Sequence, residues 1–433
     1  MKQVLNIAIA GLGTVGAGTV KILQSQADLI AQRTGKQVKI VAVSARNKKK
    51  KRDVDLKGIV WVDDPVALAK RPEVDVVVEL MGGSEGSAKA LVEAALKAGK
   101  HVVTANKALI AHHGVSLAAH AEKHRAVLAY EAAVAGGIPI IKSLREGLAA
   151  NQFKQIVGIL NGTCNFILTT MWNQKKDFEK ALEEAQHRGY AEADPTFDVE
   201  GTDTAHKLAI LTSLACGSVV DFGAVYVEGI RSVTIRDMQF ADELGYVIKL
   251  LGISKHTKKG ILQRVHPALV PKLSTIGRVS SAYNGVIVEG DSVGRITFEG
   301  MGAGEGATAS SVVGDIMNIA SGARYHPFTV PVKSLSKQPP ASMKDLVTSY
   351  YLRLGVADRP GVLADITQIF RDENISMRSF IQRDSDTLSK SDAVQIIMTT
   401  HPTFERSMLK ALARIAQLKT VLETPRMIRI EEV

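Results

Sequence analysis

Residues 4–16 read Val-Leu-Asn-Ile-Ala-Ile-Ala-Gly-Leu-Gly-Thr-Val-Gly, an apolar run that passes directly into Gly11-Leu12-Gly13-Thr14-Val15-Gly16. The run predicts a buried strand, and Val15 to Ala31 predicts the helix that follows it. Between a strand and a helix the three glycines have separate tasks. Gly11 makes the tight turn, Gly13 lets backbone approach a pyrophosphate, and Gly16 lets the helix pack on the strand. Thr14 and Val15 open a helix whose free N–H groups and positive dipole end suit phosphate. The motif alone is common, and its context carries the dinucleotide reading. Further apolar runs at 38–44, 74–80, 101–105 and 126–132, with helical periodicity over Ser87 to Ala98 and Ala108 to His124, predict strand then helix five times. That pattern is an α/β fold with a Rossmann-type doubly wound parallel sheet over residues 1–135.

The second strand ends in Ser44-Ala45-Arg46. An acid there would accept the ribose hydroxyls of NAD, whereas Arg46, with Lys48 or Lys49 behind it, pairs with a 2′-phosphate. NADP(H) is therefore favoured and NAD(H) remains possible; the bland alternative is a solvated loop. Working outward, residues 136–301 predict a second, mixed α+β domain, and 302–325 a glycine-rich loop and helix returning to the nucleotide domain. Residues 326–348, with their polar, proline-containing core at 326–345, predict a flexible linker. Residues 349–433 predict a βαββαβ unit.

The whole chain of 433 residues is 45% hydrophobic, 23% charged and 5% aromatic, which excludes disordered and fibrous classes. Two cysteines, Cys164 and Cys216, make no disulfide framework and suit a reducing, cytoplasmic setting. No apolar run approaches the roughly 20 residues a bilayer needs, so no membrane partner is expected. Net charge is +10, yet its one dense cluster, Lys48 to Arg52, is short and lacks interleaved aromatics, which argues against nucleic acid.

Two places suggest chemistry. Thr104-Ala105-Asn106-Lys107 ends the fourth strand, where open α/β sheets bind ligands. Residues 189–211, GYAEADPTFDVEGTDTAHKLAIL, gather Glu192, Asp194, Asp198, Glu200 and Asp203 ahead of a helix, and Asp203 and Lys207 share one face of it. Good helix-start electrostatics explains the acids equally well. The apolar continuation LAILTSLA buries the helix, however, and a desolvated lysine has its pKa lowered towards the range a general acid or base needs. Two rival readings exist. Cys164, entering a helix in Asn161-Gly-Thr-Cys, is a candidate nucleophile, and the nucleotide motif with net positive charge fits a DNA-binding regulator that lacks a visible reader.

The blocks GLGTVG (11–16), TANKALI (104–110), YEAAVAGGIPII (130–141), NGTCNFI (161–167), EADP…DVEGTDTAHK (192–207) and GAGEGATASSVVGDI (302–316) together resemble the homoserine dehydrogenases of the monofunctional type with a C-terminal ACT domain. The resemblance implies reversible NAD(P)-dependent interconversion of L-homoserine and L-aspartate 4-semialdehyde in threonine, methionine and isoleucine synthesis. It implies Lys207 as proton donor, Asp203 as its acidic neighbour, Lys107 as a lysine shared by cofactor and substrate, and Glu192 and Asp198 as substrate carboxylates. It also implies Gly304 beside the nicotinamide, and a monovalent cation, sodium, held mainly by backbone carbonyls at Glu131, Val134, Gly136 and Ile138. In the last unit, Asp358, Gly361, Asn374 and Ile375 resemble the amino-acid-binding interface of paired ACT domains, with L-threonine as effector in a homodimer or homotetramer.

Overall fold

A computed structural model describes residues 3–383 and 393–433. Strands β1 (Val4–Ala10), β2 (Gln37–Ser44), β3 (Val60–Trp61), β4 (Val76–Glu79), β5 (His101–Thr104) and β6 (Leu128–Ala129) form a parallel sheet in the order β3-β2-β1-β4-β5-β6. The strands are thus laid down first to one side of β1 and then to the other, so the winding order switches between β1 and β4. Alternate residues feed two cores. Ala8, Val77 and Val102 pack with Leu91 and Leu109 of helices α3 (Ser87–Lys97) and α4 (Lys107–Lys123). Ile7, Ile9 and Val78 pack on the opposite face with Val20 and Leu23 of α1 (Thr14–Ser25).

Three local expectations change. The first helix breaks at Gln26 (φ −113°, ψ 20°) into α1 and α2 (Ala27–Thr34), and Ile30 is the one residue that α2 buries. No α-helix follows β2; the chain instead makes β3 and a 3-10 turn, Pro65–Lys70, capped by Asp64. The fifth strand shrinks to two residues because the Glu131 N–H turns to the Asp315 carboxylate at 2.9 Å and the chain enters a 3-10 turn.

After a short turn, α5 (Ile140–Lys142), the chain builds β7 (Phe153–Ile159), α6 (Gly162–Gln174), α7 (Phe178–His187), α8 (Thr196–Val199) and α9 (Thr202–Cys216). Strand β8 (Val225–Val227), α10 (Ile235–Glu243), β9 (Tyr246–Thr257), β10 (Gly260–Pro271), α11 (Thr275–Arg278), β11 (Tyr283–Gly290) and β12 (Gly294–Met301) complete this body. Helix α12 (Glu305–Ala320) then returns to the nucleotide sheet, where Val312, Val313, Ile316 and Ile319 join Ile7, Ile9 and Val20 in one apolar layer.

The C-terminal unit runs β13 (Val347–Ala357), α13 (Val362–Asp372), β14 (Met377–Arg383), β15 (Ala393–Thr400), a two-residue β16 (Thr403–Phe404), α14 (Glu405–Ile415) and β17 (Arg426–Ile430). It is joined to the body by a continuous sheet, β12-β11-β7-β9-β10-β17-β13-β15-β14, through the parallel pairs Ala268–Arg429 and Leu269–Ile430. Ion pairs reinforce that seam, the first two of them buried on both sides. Arg264 grips both oxygens of Glu431 at 2.7 and 2.8 Å, Arg353 meets Asp237 at 2.6 Å, and Arg429 reaches Glu228 at 2.8 Å.

The segment expected to be a flexible linker is pinned along its length. Phe328 is fully buried, the Tyr130 hydroxyl donates to Pro327 O at 2.6 Å, the Val332 N–H donates to Glu122, and the Ala341 N–H donates to Ile261 O at 2.9 Å. It lacks long helices and strands, as its composition implies, but its apolar Phe and its backbone groups find partners on the body.

Candidate active site

Helix α9 carries the central pair. Its residues from Asp203 to Leu214 are all buried, so both charged groups of its first two turns leave water. The spacing of four brings Lys207 Nζ to Asp203 Oδ2 at 2.6 Å, and the same ammonium donates to Leu160 O at 2.7 Å. Lys107 comes from the opposite side. Glu79 at the end of β4 accepts the Met81 and Gly82 N–H groups and the Thr104 hydroxyl, which ties the ends of β4 and β5 together. Asn106 then caps α4 by accepting the Leu109 N–H at 3.0 Å while donating to Gly83 O at 2.6 Å. Lys107, the first helical residue, thus emerges at the carboxyl edge of the sheet with Nζ 2.8 Å from Asp203 Oδ1. One carboxylate sits between two lysines.

Asn161 closes the cluster. Its Oδ1 accepts the Cys164 N–H, capping α6, and its Nδ2 donates at 2.8 Å to both Asp198 Oδ1 and Asp203 Oδ2. In the sequence it stood out only as the residue that opens the Asn161-Gly-Thr-Cys run; the one available signal was an Asn directly before a helix. Lys107, Asp198, Asp203 and Lys207 are brought together, whereas Glu192 stays on the exposed rim, where its charge still helps hold Lys107 protonated.

Environment separates the two lysines. Burial pulls Lys207 below its ordinary range despite Asp203. Burial also acts on Lys107, but Asp203, Asp198 and Glu192 outweigh it and leave its pKa raised. For Asp203 the two lysines overcome burial and hold the carboxyl well below the usual carboxylate range. Asp198 is raised, by burial first and by Asp203 second. The arrangement sets an amine whose pKa is lowered beside one whose pKa is raised, the separation that acid–base chemistry uses. Cys164, the candidate nucleophile, is buried with its Sγ 3.2 Å from Asp198 O, and burial pushes its thiol up, which disfavours the thiolate.

The nucleotide end is geometrically distinct. Gly11 has φ +101°, and a Cβ there would lie 2.4 Å from Leu80 O; one on Gly16 would lie 2.0 Å from Gly11 O. Around Gly13, which precedes α1, there is open space. Thr14 and Val15 form the first turn of α1. Gly304 precedes α12, and Lys21 of α1 pairs with Glu305 of α12 at 2.9 Å, so the start of α12 packs against the middle of α1. Arg46 and Lys48 are exposed beyond β2, with Lys48 Nζ 5.9 Å from the Trp61 ring centre. Arg52, read in the sequence only as the end of a basic run, folds back: Nε donates to Leu12 O at 3.0 Å and Nη2 to Asn47 O at 2.8 Å, fastening this loop to the glycine turn.

Family models for the homoserine dehydrogenase NAD-binding domain, homoserine dehydrogenase itself and the ACT domain match residues 11–131, 139–317 and 350–420. The chain belongs to the homoserine dehydrogenase family. It is 44% identical to homoserine dehydrogenase of Neisseria gonorrhoeae, covering 100% of this chain and 99% of that one, and 42% identical to that of Pseudomonas aeruginosa, covering all of both. A homoserine dehydrogenase structure from Thiobacillus denitrificans matches with a TM-score of 0.92 at 43% identity, over 99% of this chain and 98% of that one. A hyperthermophilic archaeal homoserine dehydrogenase mutant in complex with NADPH matches over 74% of this chain and 99% of its own, at 25% identity and a TM-score of 0.63. The enzyme is thus an NAD(P)-dependent oxidoreductase.

Two further sets of residues have been located. Glu131 accepts the Ile141 and Lys142 N–H groups at 2.9 and 2.7 Å next to Asp315; burial first, then their mutual repulsion, lifts Glu131 to about 7, while burial lifts Asp315 to about 6. Val134 and Ile138 are buried, and Gly136 O accepts the Ser311 hydroxyl at 2.7 Å. Two confined acids and a carbonyl-rich turn form a donor set that suits a hard cation. In the C-terminal unit Asp358 is exposed before Gly361, which starts α13, whereas Asn374 (φ +55°) and buried Ile375 follow its end. The two pairs lie about 16 Å apart along the helix, so one ligand touching both requires a second copy of the chain. Among the described residues no helix is long and apolar enough to cross a membrane.

Proposed function

We propose that Lys207 transfers the proton in the interconversion of L-aspartate 4-semialdehyde and L-homoserine, and that Lys107 holds the reacting oxygen. The nicotinamide cofactor, when bound, donates or accepts the hydride. During reduction negative charge builds on the aldehyde oxygen; an ammonium facing it stabilises that charge, and the lysine with the lower pKa gives up its proton. Asp203 positions both amines. Asp198 and Glu192 take the substrate ammonium through charge-assisted hydrogen bonds. The observation that carries this reading is the Asp203 carboxylate clamped between Lys207 and Lys107 at 2.6 and 2.8 Å.

NADP(H) is the preferred cofactor in this reading, supported by Arg46 and Lys48 beyond a second strand that lacks a terminal acid, and by the NADPH named for the archaeal relative. Gly11, Gly13, Thr14, Val15 and Gly16 take the pyrophosphate, and Gly304 faces the nicotinamide end. Glu131, with carbonyls of Val134, Gly136 and Ile138, holds a monovalent cation, sodium, which braces the junction between the nucleotide sheet and the body. The enzyme acts in the cytoplasm, in threonine, methionine and isoleucine synthesis. It assembles as a homodimer or homotetramer, and L-threonine binds where Asp358 and Gly361 of one copy meet Asn374 and Ile375 of another. The test is a rate assay with L-homoserine and each oxidised cofactor, followed by reduced-nicotinamide absorbance. Higher kcat/KM with NADP and inhibition by millimolar threonine are expected. Preference for NAD sinks the Arg46 assignment, and threonine without effect on rate and without calorimetric heat makes the last unit an assembly interface.

A further inference from the structure

Away from the Asp203 cluster, a cavity of about 300 Å³ opens between α6, α10 and β9. Leu168 and Trp172, Met238 and Asp242, and Ile248 and Lys249 contribute to its walls. Lys249 is 6% exposed and donates to Asn165 Oδ1 at 3.2 Å and to Val279 O. Among the described residues no carboxylate pairs with it; Asp242 is taken by Lys272. The contrast with Lys207 is chemical, since that equally buried amine has an acid at 2.6 Å. An ammonium carries three donors, and an ammonium enclosed by neutral oxygens alone is costly. Burial lowers Lys249 to about 8, so the group still carries its charge at neutral pH.

We propose that this cavity binds a small aliphatic carboxylic acid, with the carboxylate on the Lys249 ammonium and the branched body against Leu168, Trp172, Met238 and Ile248. The volume lies at the small end of ligand sites, whose usual range is roughly 300–1,000 Å³, which limits the occupant to a short chain. A simple fatty acid and an α-amino acid share this chemistry, and Asp242 on the same wall distinguishes them, since an α-ammonium would share its carboxylate with the half-exposed Lys272. The site reaches the catalytic acids through one turn of α6. Asn165, which holds Lys249, donates its N–H to Asn161 O at 3.2 Å, and Asn161 binds Asp198 and Asp203.

The experiment is calorimetry on the full chain with 3-methylbutanoate and with L-valine, which differ only in the α-amino group, beside Lys249→Met and Leu168→Trp variants. Saturable millimolar binding that weakens roughly tenfold or more in both variants is expected, as for loss of one charge-assisted contact and loss of the space. Tighter binding of valine that Asp242→Asn abolishes identifies an amino acid; equal binding identifies a plain carboxylate. Should Lys249→Met fail to fold, Leu168→Trp decides, because it fills the cavity and leaves the lysine in place. No saturable heat with either probe, or undiminished binding in Leu168→Trp, overturns the proposal. So does loss of subunit assembly in that variant on sedimentation without ligand heat in the native protein, which makes the cavity a subunit contact.

Discussion

Replacing Asp203 by Asn tests whether one carboxylate sets both lysines to their tasks. Asp203 is 2% exposed and faces Lys207 Nζ at 2.6 Å and Lys107 Nζ at 2.8 Å. Asparagine keeps the shape and an acceptor but removes the charge. A hydrogen bond to a charged group is worth about 1.5–3 kcal/mol, and one pKa unit corresponds to about 1.4 kcal/mol. The ammonium form of Lys207 therefore loses support equal to roughly one to two pH units, on top of the lowering that burial already imposes. The sign follows from the proton's direction. With Lys207 in the proposed role, semialdehyde reduction needs it protonated, so the rate is lost as pH rises through the Lys207 pKa, and a lower pKa brings that loss at lower pH. Homoserine oxidation needs the free amine, so its rise on the acid side also begins earlier. The measurement is kcat/KM against pH in both directions, which reports the free enzyme, with cofactor affinity measured separately by fluorescence. A variant whose profiles fall in height while both limbs keep their positions would refute the electrostatic link and assign the limbs to another group.

Lys207→Ala should lose roughly 10²–10⁴-fold in kcat with little change in cofactor affinity, the usual worth of a positioned acid–base group; near-normal turnover at saturating substrate would transfer the role to Lys107. Lys107→Ala should lower kcat and raise the KM for homoserine together, and an unchanged KM would remove it from the substrate. Arg46→Ala should weaken NADP relative to NAD, and an unchanged ratio of the two kcat/KM values would contradict its place at the 2′-phosphate. Arg353→Ala leaves Asp237 buried and unpaired and should destabilise the protein by about 3–5 kcal/mol, read as a shift in the urea midpoint; a change below about 1 kcal/mol would mean that the pair adds little to the seam.

What the sequence made legible was local. The glycine turn, the strand–helix alternation and the Asp203–Lys207 spacing each depend on residues a few positions apart. Asn161 was invisible as a site residue because its value lies in acceptors 37 and 42 positions away, Asp198 and Asp203. Arg52 was hidden in a basic run whose neighbours are solvated, and only the folded loop turns its guanidinium onto Leu12 O. The linker misled by composition: prolines and polar residues do preclude long elements, yet they leave Phe328 and several backbone groups free to dock. The seam at β10 was illegible for a related reason, since Gln263, Arg264 and His266 imply a solvated strand until their partners on other strands are known.

Because β17 pairs with β10 across a long stretch of sequence, the order of synthesis matters. While the chain is being made, β10 can pair with β9 at once, but its stretch at Ala268–Leu269 waits for residues 429–430, which are made only after the whole of the unit that begins with β13. For that interval the nascent body presents an apolar open edge, the kind of surface that recruits strands from other chains. Deleting β17 should therefore produce insoluble protein, and not an enzyme freed from regulation. Strand β17 acts as the closing clasp of the catalytic body itself.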